Sequence, residues 1–311
     1  MSAPDGQTLP GVAICIPTFN RAALLDRTLR SVARMEFPAG LPVEVLVIDN
    51  NCTDGTAEVA AAAAALSPVP LRRVSEPRPG LCHARNRALA AAAREHVALL
   101  DDDVEVAPGW IVAYMEAVER RGAACVVGPV TAVFEREPPP WMTTVILDSL
   151  NSSYSRKGDT MMRVPEALAH QVPGCNFGVR RELAIALGGF DPNLDRMGGG
   201  LLSGGDWEFG ERLVKAGATV VYHPGCAVRH LITAEKMSKR HLRRRWFGFG
   251  RTVAVLARKR GAPAGVLRRA RMGLNALRLG AETLRCRLQG QPGPAFQKEL
   301  EALRTFGILW G

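Results

Sequence analysis

Three consecutive aspartates, Asp101, Asp102 and Asp103, directly follow an apolar stretch in the segment HVALLDDDVEVAPGWI (96–111). Like charges this close repel each other, and the cost of holding them together rises where the dielectric constant is low. Carboxylate oxygens are hard ligands that bind Mg²⁺ or Mn²⁺, and such an ion can bridge phosphate oxygens. The Asp-x-Asp pair formed by Asp101 and Asp103 is therefore a candidate metal site for a phosphorylated ligand. The alternative is a solvated acidic turn that caps the following helix.

Short apolar strands that alternate with helices would position these carboxylates. The runs GVAICIPTFN (11–20) and VEVLVIDNN (43–51) are rich in Val and Ile and too short for helices, which is typical of buried parallel strands. Between them, apolar residues at helical spacing predict a helix over 21–35. The alternation continues to the strand HVALL (96–100). We expect an α/β fold with a mixed, mostly parallel central sheet flanked by helices, followed by a basic helical C-terminal extension.

Ligands of such sheets bind beyond the carboxyl ends of the strands. The residues at the ends of the first, second and fourth predicted strands are Pro17, Thr18, Phe19 and Asn20, then Asp49 and Asn50, then Asp101 to Asp103. One cleft would collect all of them.

Charge is distributed unevenly along the 311 residues. The formal net charge is +10, yet residues 236–287 contain 16 Lys and Arg and a single acid, Glu282, and the rest of the chain is mildly acidic. A hydrophobic content of 47% and a charged content of 23% exclude a disordered chain. The basic region predicts an anionic partner such as lipid headgroups.

The basic region combines cations with apolar side chains. Trp246, Phe247 and Phe249 lie in its first part, and a stripe with alternating steps of three and four follows, made of Leu267, Ala270, Leu274, Leu277, Ala281 and Leu284. This pattern suits contact with an anionic membrane surface through residues 236–287. The alternative is that the stripe packs on the rest of the protein and the arginines are merely solvated. No nucleic-acid partner is expected, because the aromatic residues form no evident stacking module.

Cysteine usage and hydropathy indicate where the chain works. Seven cysteines without a Cys-x-x-Cys pair support neither a disulfide framework nor a zinc site. The N-terminal segment lacks the pattern of a secretory signal, and no run of 18 apolar residues occurs. We expect a cytoplasmic location, with the inner face of the cell membrane as a peripheral site.

Six segments in this order resemble glycosyltransferase family 2, whose members have the GT-A fold and use nucleotide-diphospho-sugars. They are IPTFNR (16–21), VIDNNCTDGT (47–56), RPGLCHARNRAL (78–89), LLDDDVEVAPGWI (99–111), GCNFGVRRE with GGFDPNL (174–194), and GGDWEFGERLVKAG (204–217). Each segment alone is a motif of low specificity, but together they span roughly residues 11 to 232. The resemblance implies a flexible N-terminus over 1–10, a GT-A domain over 11–235 with nucleotide-binding and acceptor halves that meet near residue 112, and the extension over 236–311.

The resemblance also implies a donor site and a divalent metal, Mn²⁺ or Mg²⁺. The implied nucleotide-sugar-binding residues are Pro17, Thr18, Asn20, Arg21, Asp49, Arg78, Gly80, Arg85, Asn86, Asp101, Asp102 and Asp103. Asp101 and Asp103 would ligate the metal, and His230 lies where some relatives carry a metal-binding histidine. A structural, hydrogen-bonding role for His230 is the alternative.

The segment GGDWEFGERL implies the catalytic group. Many family members carry Glu-Asp there, whereas this chain has Gly205 before Asp206 and keeps Glu208. Aligned in this way, Asp206 is the base that deprotonates an acceptor hydroxyl, and the missing carboxylate leaves Glu208 as the alternative base. The expected acceptor or sugar pocket comprises Trp141, Asn176, Gly205, Trp207 and Glu208, with the loop 196–205 nearby.

The expected activity is transfer of a sugar, with inversion, from a nucleotide-diphospho-sugar to a hydroxyl group of a saccharide, a lipid-linked glycan or a protein glycan. UDP is the nucleotide that the resemblance favours. Transfer to a polyprenyl phosphate is one alternative, and a non-catalytic protein that binds nucleotide sugars is another. The sequence leaves the oligomeric state open.

Overall fold

The computed structural model describes residues 9–150, 158–169, 172–195, 202, 204–262 and 265–311. Contacts divide the chain into two compact units. The first unit falls within Met1–Thr131, Ser152–Pro192 and Gly205–Leu231, and the second within Ala132–Asn151, Asn193–Gly204 and Ile232–Gly311. This division differs from the single boundary expected at residue 235, because two internal segments group with the C-terminal helices. Most of the N-terminal segment expected to be flexible lies outside the described residues, but Leu9 already begins a strand.

Strands and helices alternate along the first half of the chain, as the apolar runs predict. The strands are β1 Leu9–Thr18, β2 Val43–Asp49, β3 Leu71–Ser75, β4 Arg94–Leu100, β5 Val104–Val106, β6 Cys125–Val127, β7 Val130–Phe134, β8 Met162–Arg163, β9 Asn176–Arg180, β10 Val220–Tyr222 and β11 Val228–Ile232. The helices are α1 Ala22–Val32, α2 Thr56–Leu66, α3 Leu81–Ala91, α4 Trp110–Arg121, α5 Thr144–Asp148, α6 Glu166–Ala169, α7 Arg181–Ala186, α8 Gly205–Lys215, α9 Lys239–Lys259, α10 Val266–Leu288 and α11 Pro292–Trp310.

The main sheet has eight strands in the order β3-β2-β1-β4-β9-β6-β10-β8. The strands β3, β2, β1 and β4 are parallel, and β9 runs antiparallel to both of its neighbours. This confirms the expected mixed, mostly parallel α/β fold. A smaller sheet has the order β5-β11-β7. Its antiparallel pairing of β5 with β11 sets His230 opposite Val104, the residue after the three aspartates.

Alternate side chains of the central strands pack into two separate hydrophobic cores. Ile14 and Val45 belong to the core that contains α1 and α4, whereas Cys15 and Leu46 belong to the core that contains α3 and α8. Because both faces of the sheet are covered, all seven residues of β2 are buried. Their uninterrupted hydrophobicity is the signal that made these strands recognisable in the sequence.

The second unit is built around the three C-terminal helices. Helices α9 and α10 both pack on α11, and a core that includes Ile146, Leu242 and Leu300 joins them to the segment 132–151. The α9 aromatics Trp246, Phe247 and Phe249 are half-buried. Within the described ranges, no helix has both the length and the apolar composition needed to cross a membrane.

Candidate active site

The strand ends that carry the predicted site residues meet at one edge of the main sheet. Thr18, the last residue of β1, pairs in register with Asp49, the last residue of β2. Pro17 is buried one residue earlier, and the three aspartates follow β4, the other neighbour of β1. The parallel order therefore confirms that these residues share one edge.

The charge that offsets the aspartate cluster is Arg21, at the start of α1. Its Nη1 atom lies 3.0 Å from Oδ1 of Asp102 and 3.0 Å from Oδ2 of Asp103. The hydroxyl of Thr18 donates a second hydrogen bond to Asp102, 2.8 Å long. Burial raises the pKa of Asp102 to about 6, although Arg21 opposes this shift. Arg21 and Thr18 thus link the end of β1 to the aspartates that follow β4.

Asp103 and His230 form the best candidate for a metal-binding pair. His230 Nε2 lies 3.2 Å from Asp103 Oδ1, and the carboxylate is buried. Two ligands at right angles on one octahedral ion, each about 2.1 Å from it, are about 3.0 Å apart. A carboxylate oxygen and an imidazole nitrogen at this separation fit Mn²⁺ in chemistry and in spacing.

Asp101 departs from the predicted three-residue metal site. Its side chain is half-buried, and Oδ1 lies 3.6 Å from Nη2 of Arg85. Among the described residues, no three His, Cys, Asp or Glu side chains are grouped to hold a metal ion. Asp101, Asp103 and His230 are therefore not brought to one point, because Asp101 faces a guanidinium instead.

Arg85, on α3, is the most buried cation of the site, with 4% exposure. Its Nη2 atom donates a 2.6 Å hydrogen bond to the carbonyl oxygen of Gly174, and its guanidinium lies 5.4 Å from the ring centre of Phe190. Helix α3 and the segment before β9 thus hold this charge beside Asp101.

Asp206 lies near Arg85, at the start of α8. A Cβ atom at Gly174 would collide with Oδ2 of Asp206 and would lie 2.8 Å from Nη2 of Arg85, so only glycine allows this approach. The Asp206 side chain is half-buried, and its Oδ1 accepts a 3.0 Å hydrogen bond from the Trp207 amide. Trp207 itself is half-exposed on α8.

Cys175 stands among the acidic groups of the site. Burial raises the pKa of its thiol well above the usual value, and the charges of Asp101, Asp103 and Asp206 raise it further. The thiol is therefore neutral at neutral pH and adds no negative charge to the cluster. In the sequence, only the place of Cys175 between Gly174 and Asn176 indicates a link to the site.

Glu208, the alternative base, is held in a buried ion pair. Its Oε2 atom lies 2.7 Å from Nη2 of Arg212, which also donates hydrogen bonds to the carbonyl oxygens of Leu187 and Gly189. The pair ties α8 to the turn after α7. This bonding leaves Asp206 as the more accessible carboxylate of the two.

Gly205 has a steric explanation. A Cβ atom at this position would lie 2.7 Å from Sγ of Cys82, so a side chain there would require the Cys82 side chain or its surroundings to shift. Glycine avoids this contact.

Two predicted pocket residues have other roles in the structure. Asn176 has no exposed surface, and its amide bonds to the Trp110 indole and to the carbonyl oxygens of Pro129 and Cys226. Trp141 belongs to the second unit, where its ring packs edge-on against Phe296 with 5.0 Å between centroids. Asn176 is therefore a structural residue of the first unit. Trp141 contributes to the core of the second, and most of the loop 196–205 lies outside the described residues.

Asn86 is also bonded to protein groups. Its Nδ2 donates to the Phe190 carbonyl oxygen at 2.8 Å, and its Oδ1 accepts from the Phe190 amide at 2.7 Å. This bidentate arrangement leaves one N–H of the amide for a nucleotide. The sequence suggested a ligand contact for Asn86, whereas the structure shows that it anchors the GGF turn.

The loop 76–80 is organised by Asn50, which the sequence placed at the ligand edge of the sheet. Asn50 donates to the carbonyl oxygens of Glu76 and Arg78 and accepts from the Gly80 amide. Gly80 has a φ of 134°, which side chains rarely adopt. A cavity of about 330 Å³ lies beside this loop, lined by Ser75, Glu76, Pro77, Arg78, Asn86, Arg87 and Ala90.

Asp49 and Asn20 also lie at the edge of the sheet where the sequence predicts the donor site. Burial alone would raise the pKa of Asp49, but hydrogen bonds from the Cys52 amide and from Arg73, at 2.8 and 2.6 Å, outweigh this effect and lower it. Asn20 has a φ of 52°, and its side-chain oxygen accepts a 2.7 Å hydrogen bond from the Thr53 amide. Asn20 thus joins the loops after β1 and β2, whereas Asp49 links the loop after β2 to β3.

The mixed sheet and the acidic cluster at its strand ends define a glycosyltransferase of the GT-A fold. The family model for glycosyl transferase family 2 matches residues 13–188, more than half of the chain. The chain therefore belongs to glycosyltransferase family 2, as the six segments of the sequence implied.

Similar proteins support this assignment. The chain is 28% identical over 245 residues to the succinoglycan biosynthesis protein ExoM of Rhizobium meliloti, covering 78% of this chain and 72% of that protein. It is 25% identical over 215 residues to the glycosyltransferase AglE of Haloferax volcanii, covering 69% and 65%. The fold resembles the mannosyltransferase PcManGT of Pyrobaculum calidifontis, solved with GDP-Man and Mn²⁺, with a TM-score of 0.56, 20% identity and coverage of 99% and 90%.

Proposed function

We propose that this enzyme transfers a sugar from a nucleotide-diphospho-sugar, with UDP favoured, to a hydroxyl group of a glycan acceptor, with inversion at the anomeric carbon. The observation that carries the proposal is the common approach of Arg85 and Asp206 to Gly174. A cation that can hold a diphosphate and a carboxylate that can accept a proton are thus placed side by side.

The donor would bind at the edge formed by β1, β2 and β4. Thr18, Asn20 and the loop 78–80 would contact the nucleotide, with Asp49 beside its base or ribose. Asp103 and His230 would hold a divalent ion, which when bound stabilises the charge on the leaving diphosphate. Arg85 would donate charge-assisted hydrogen bonds to the same oxygens. Arg21 would keep the aspartate cluster together before the donor arrives.

The transfer itself would be a single displacement. As the acceptor oxygen forms a bond to the anomeric carbon, the bond from that carbon to the diphosphate oxygen breaks, and both electrons leave with the nucleoside diphosphate. Asp206 would take the proton of the acceptor hydroxyl. The partial exposure of Asp206, compared with the burial and ion pairing of Glu208, supports Asp206 in this role.

The name of one relative supports a saccharide as acceptor. ExoM is named for succinoglycan biosynthesis, and AglE is named a glycosyltransferase. No cysteine of the described residues is in a disulfide bond, which supports a reducing compartment such as the cytoplasm.

A thermal-shift titration with UDP, GDP, dTDP and CDP tests the proposal, each nucleotide with Mn²⁺, Mg²⁺ or EDTA. Ligands that bind only the folded state stabilise it by mass action. We expect a metal-dependent rise in melting temperature with one nucleotide, which Asp103→Ala abolishes. GDP is included because the similar mannosyltransferase was solved with GDP-Man. Stabilisation by none of the four nucleotides would overturn the donor site.

A turnover assay separates the enzyme from a protein that only binds nucleotide sugars. We expect release of nucleoside diphosphate from the donor that matches the stabilising nucleotide, once glycan acceptors are added. Donor binding without any turnover would favour the binding-only alternative.

A further inference from the structure

Helix α10 has two apolar faces, and the residues that the structure describes cover only one of them. Ala276, Leu279, Thr283 and Cys286 are buried where the helix packs on α11. The opposite face carries five exposed leucines, here called the leucine face: Leu267, Leu274, Leu277, Leu284 and Leu288, between 59% and 81% exposed. Single exposed leucines are ordinary, but five that share one face of one helix form a contiguous apolar surface.

A row of cations borders the leucine face. Arg271, Arg278 and Arg285 are exposed and follow each other at steps of seven residues, so they form one line along the helix. Helix α10 contains six arginines and one acid, Glu282. An apolar face bordered by arginines is the arrangement by which a helix lies in the plane of an anionic membrane surface.

We propose that α10 binds anionic phospholipid membranes through the leucine face. The leucines would insert at the level of the first acyl carbons, and the bordering arginines would contact lipid phosphates. The helix is 23 residues long, or about 34 Å at 1.5 Å per residue. This proposal does not depend on the donor chemistry.

An exposed tryptophan adds to the membrane surface. Trp310, near the end of α11, is 82% exposed, and Arg269 of α10 donates a hydrogen bond to the neighbouring Leu309 carbonyl oxygen at 2.8 Å. Trp310 therefore lies at the same end of the helix pair as Leu267. Tryptophan is enriched at membrane interfaces, because its ring is apolar and its N–H is polar.

Charge argues against a second copy of the chain as the occupant. The leucine spacing also fits a coiled-coil seam. A symmetric partner would, however, bring an identical arginine-rich helix, and like charges would repel across the contact. An anionic lipid surface offers the opposite charge.

The proposed contact uses only the second part of the region 236–287 that the sequence suggested. Trp246, Phe247 and Phe249 of α9 are half-buried, and the guanidinium of Arg304 covers the Phe249 ring at 4.8 Å. The apolar side chains available to a membrane are therefore those of α10.

Co-sedimentation of the full chain with vesicles tests the proposal. The vesicles are phosphatidylcholine alone or mixed with phosphatidylglycerol, at low and high salt. We expect the wild-type protein to sediment with the anionic vesicles and the Leu274→Glu/Leu277→Glu variant to lose at least tenfold in vesicle affinity. Leu66→Glu is the matched control, because Leu66 is 83% exposed on α2, in the first unit. Its binding should equal that of the wild type.

Two further variants make the outcome decisive. Leu274→Gln/Leu277→Gln removes the apolar side chains without adding charge and should also weaken binding. Arg271→Gln/Arg278→Gln/Arg285→Gln should weaken binding to anionic vesicles and flatten its dependence on salt. Melting curves with and without nucleotide confirm that each variant folds and keeps the donor site.

Three results would each overturn the proposal. The first is failure of the wild type to bind anionic vesicles, and the second is wild-type binding by both leucine variants. The third is a wild-type dimer in light scattering that the leucine substitutions convert to a monomer, without any vesicle binding. A failed donor site would instead appear as loss of nucleotide stabilisation with vesicle binding intact.

Discussion

His230 Nε2 lies 3.2 Å from Asp103 Oδ1, although the two residues are far apart in the sequence. The antiparallel pairing of β5 with β11 brings them together, since Leu231 donates its amide to the Asp103 carbonyl oxygen at 2.9 Å. Backbone hydrogen bonds thus set the spacing of the two side chains. At this spacing, the two side chains together would hold a divalent ion better than either side chain would alone.

Substitution of His230 should weaken metal-dependent donor binding. His230→Ala removes one of the two proposed metal ligands, so we expect nucleotide affinity in Mn²⁺ to fall by roughly 10- to 100-fold, a range seen when groups that support a metal are lost. Affinity in EDTA should not change. Calorimetric titration with the stabilising nucleotide measures both values, with His241→Ala as the control. Equal losses in Mn²⁺ and EDTA would contradict a metal-ligating role.

Substitution of Asp206 should affect turnover far more than donor binding. Asp206→Asn keeps the size of the side chain but cannot accept the acceptor proton, so we expect kcat to fall by roughly 10²- to 10⁴-fold. The nucleotide should raise the melting temperature of this variant by as much as it raises that of the wild type. A steady-state assay of nucleoside diphosphate release measures the rate, and near-normal kcat in this variant would remove Asp206 from the mechanism.

Substitution of Glu208 should give the opposite pattern. Glu208→Gln leaves Arg212 without its partner in a largely buried pair, so we expect the free energy of unfolding to fall by about 3 kcal/mol. Urea unfolding measures this change. At a temperature where the variant is folded, kcat should stay within a few-fold of wild type. A stable but inactive Glu208→Gln protein would make Glu208 the base.

The contact between Gly205 and Cys82 predicts a rescue. Gly205→Ala would place its Cβ 2.7 Å from Cys82 Sγ, so we expect a loss of about 1 to 3 kcal/mol from overpacking. Adding Cys82→Ala removes the sulfur and should restore part of that loss. A double-mutant cycle by urea unfolding measures the coupling. Additive effects of the two substitutions would show that the clash is relieved in another way.

Glu76 predicts one component of acid sensitivity. Hydrogen bonds from Arg78 lower the pKa of Glu76 to about 2 in the folded protein, whereas the unfolded value is about 4.3. The stabilisation is therefore complete above the unfolded pKa and disappears as the pH falls from there towards 2. Glu76→Gln should lower stability at pH 7 and flatten its loss on acidification. Unfolding free energies at several acidic pH values test this, with Glu58→Gln on α2 as the control.

Much of the fold can be predicted from local patterns. Continuous apolar runs indicate strands that are buried on both faces, and β1, β2 and β4 lie where such runs occur. Polar residues directly after those runs had to meet at one edge, because parallel strands end together. The predicted grouping of Thr18, Asp49 and the aspartates followed from that rule alone.

The roles of single side chains could not be predicted in this way. Asn86 and Asn176 look like ligand-binding residues in the sequence, yet their amides bond to groups of distant segments. Gly205 looked like a lost carboxylate, and the structure shows that a Cβ atom there would lie 2.7 Å from a sulfur atom on another helix. Hydrogen-bond partners and steric limits depend on contacts between remote parts of the chain, and no local pattern contains them.

In the C-terminal helices too, local patterns predict some features and tertiary contacts determine others. Periodicity in the sequence identified an amphipathic helix with one apolar stripe and an arginine flank, because a helix repeats every 3.6 residues whatever surrounds it. Which apolar side chains remain uncovered depended on packing: α11 covers Leu279, and the leucines of the opposite face stay exposed. Local spacing therefore specified the faces of α10, and the neighbouring helices selected the face left for a partner.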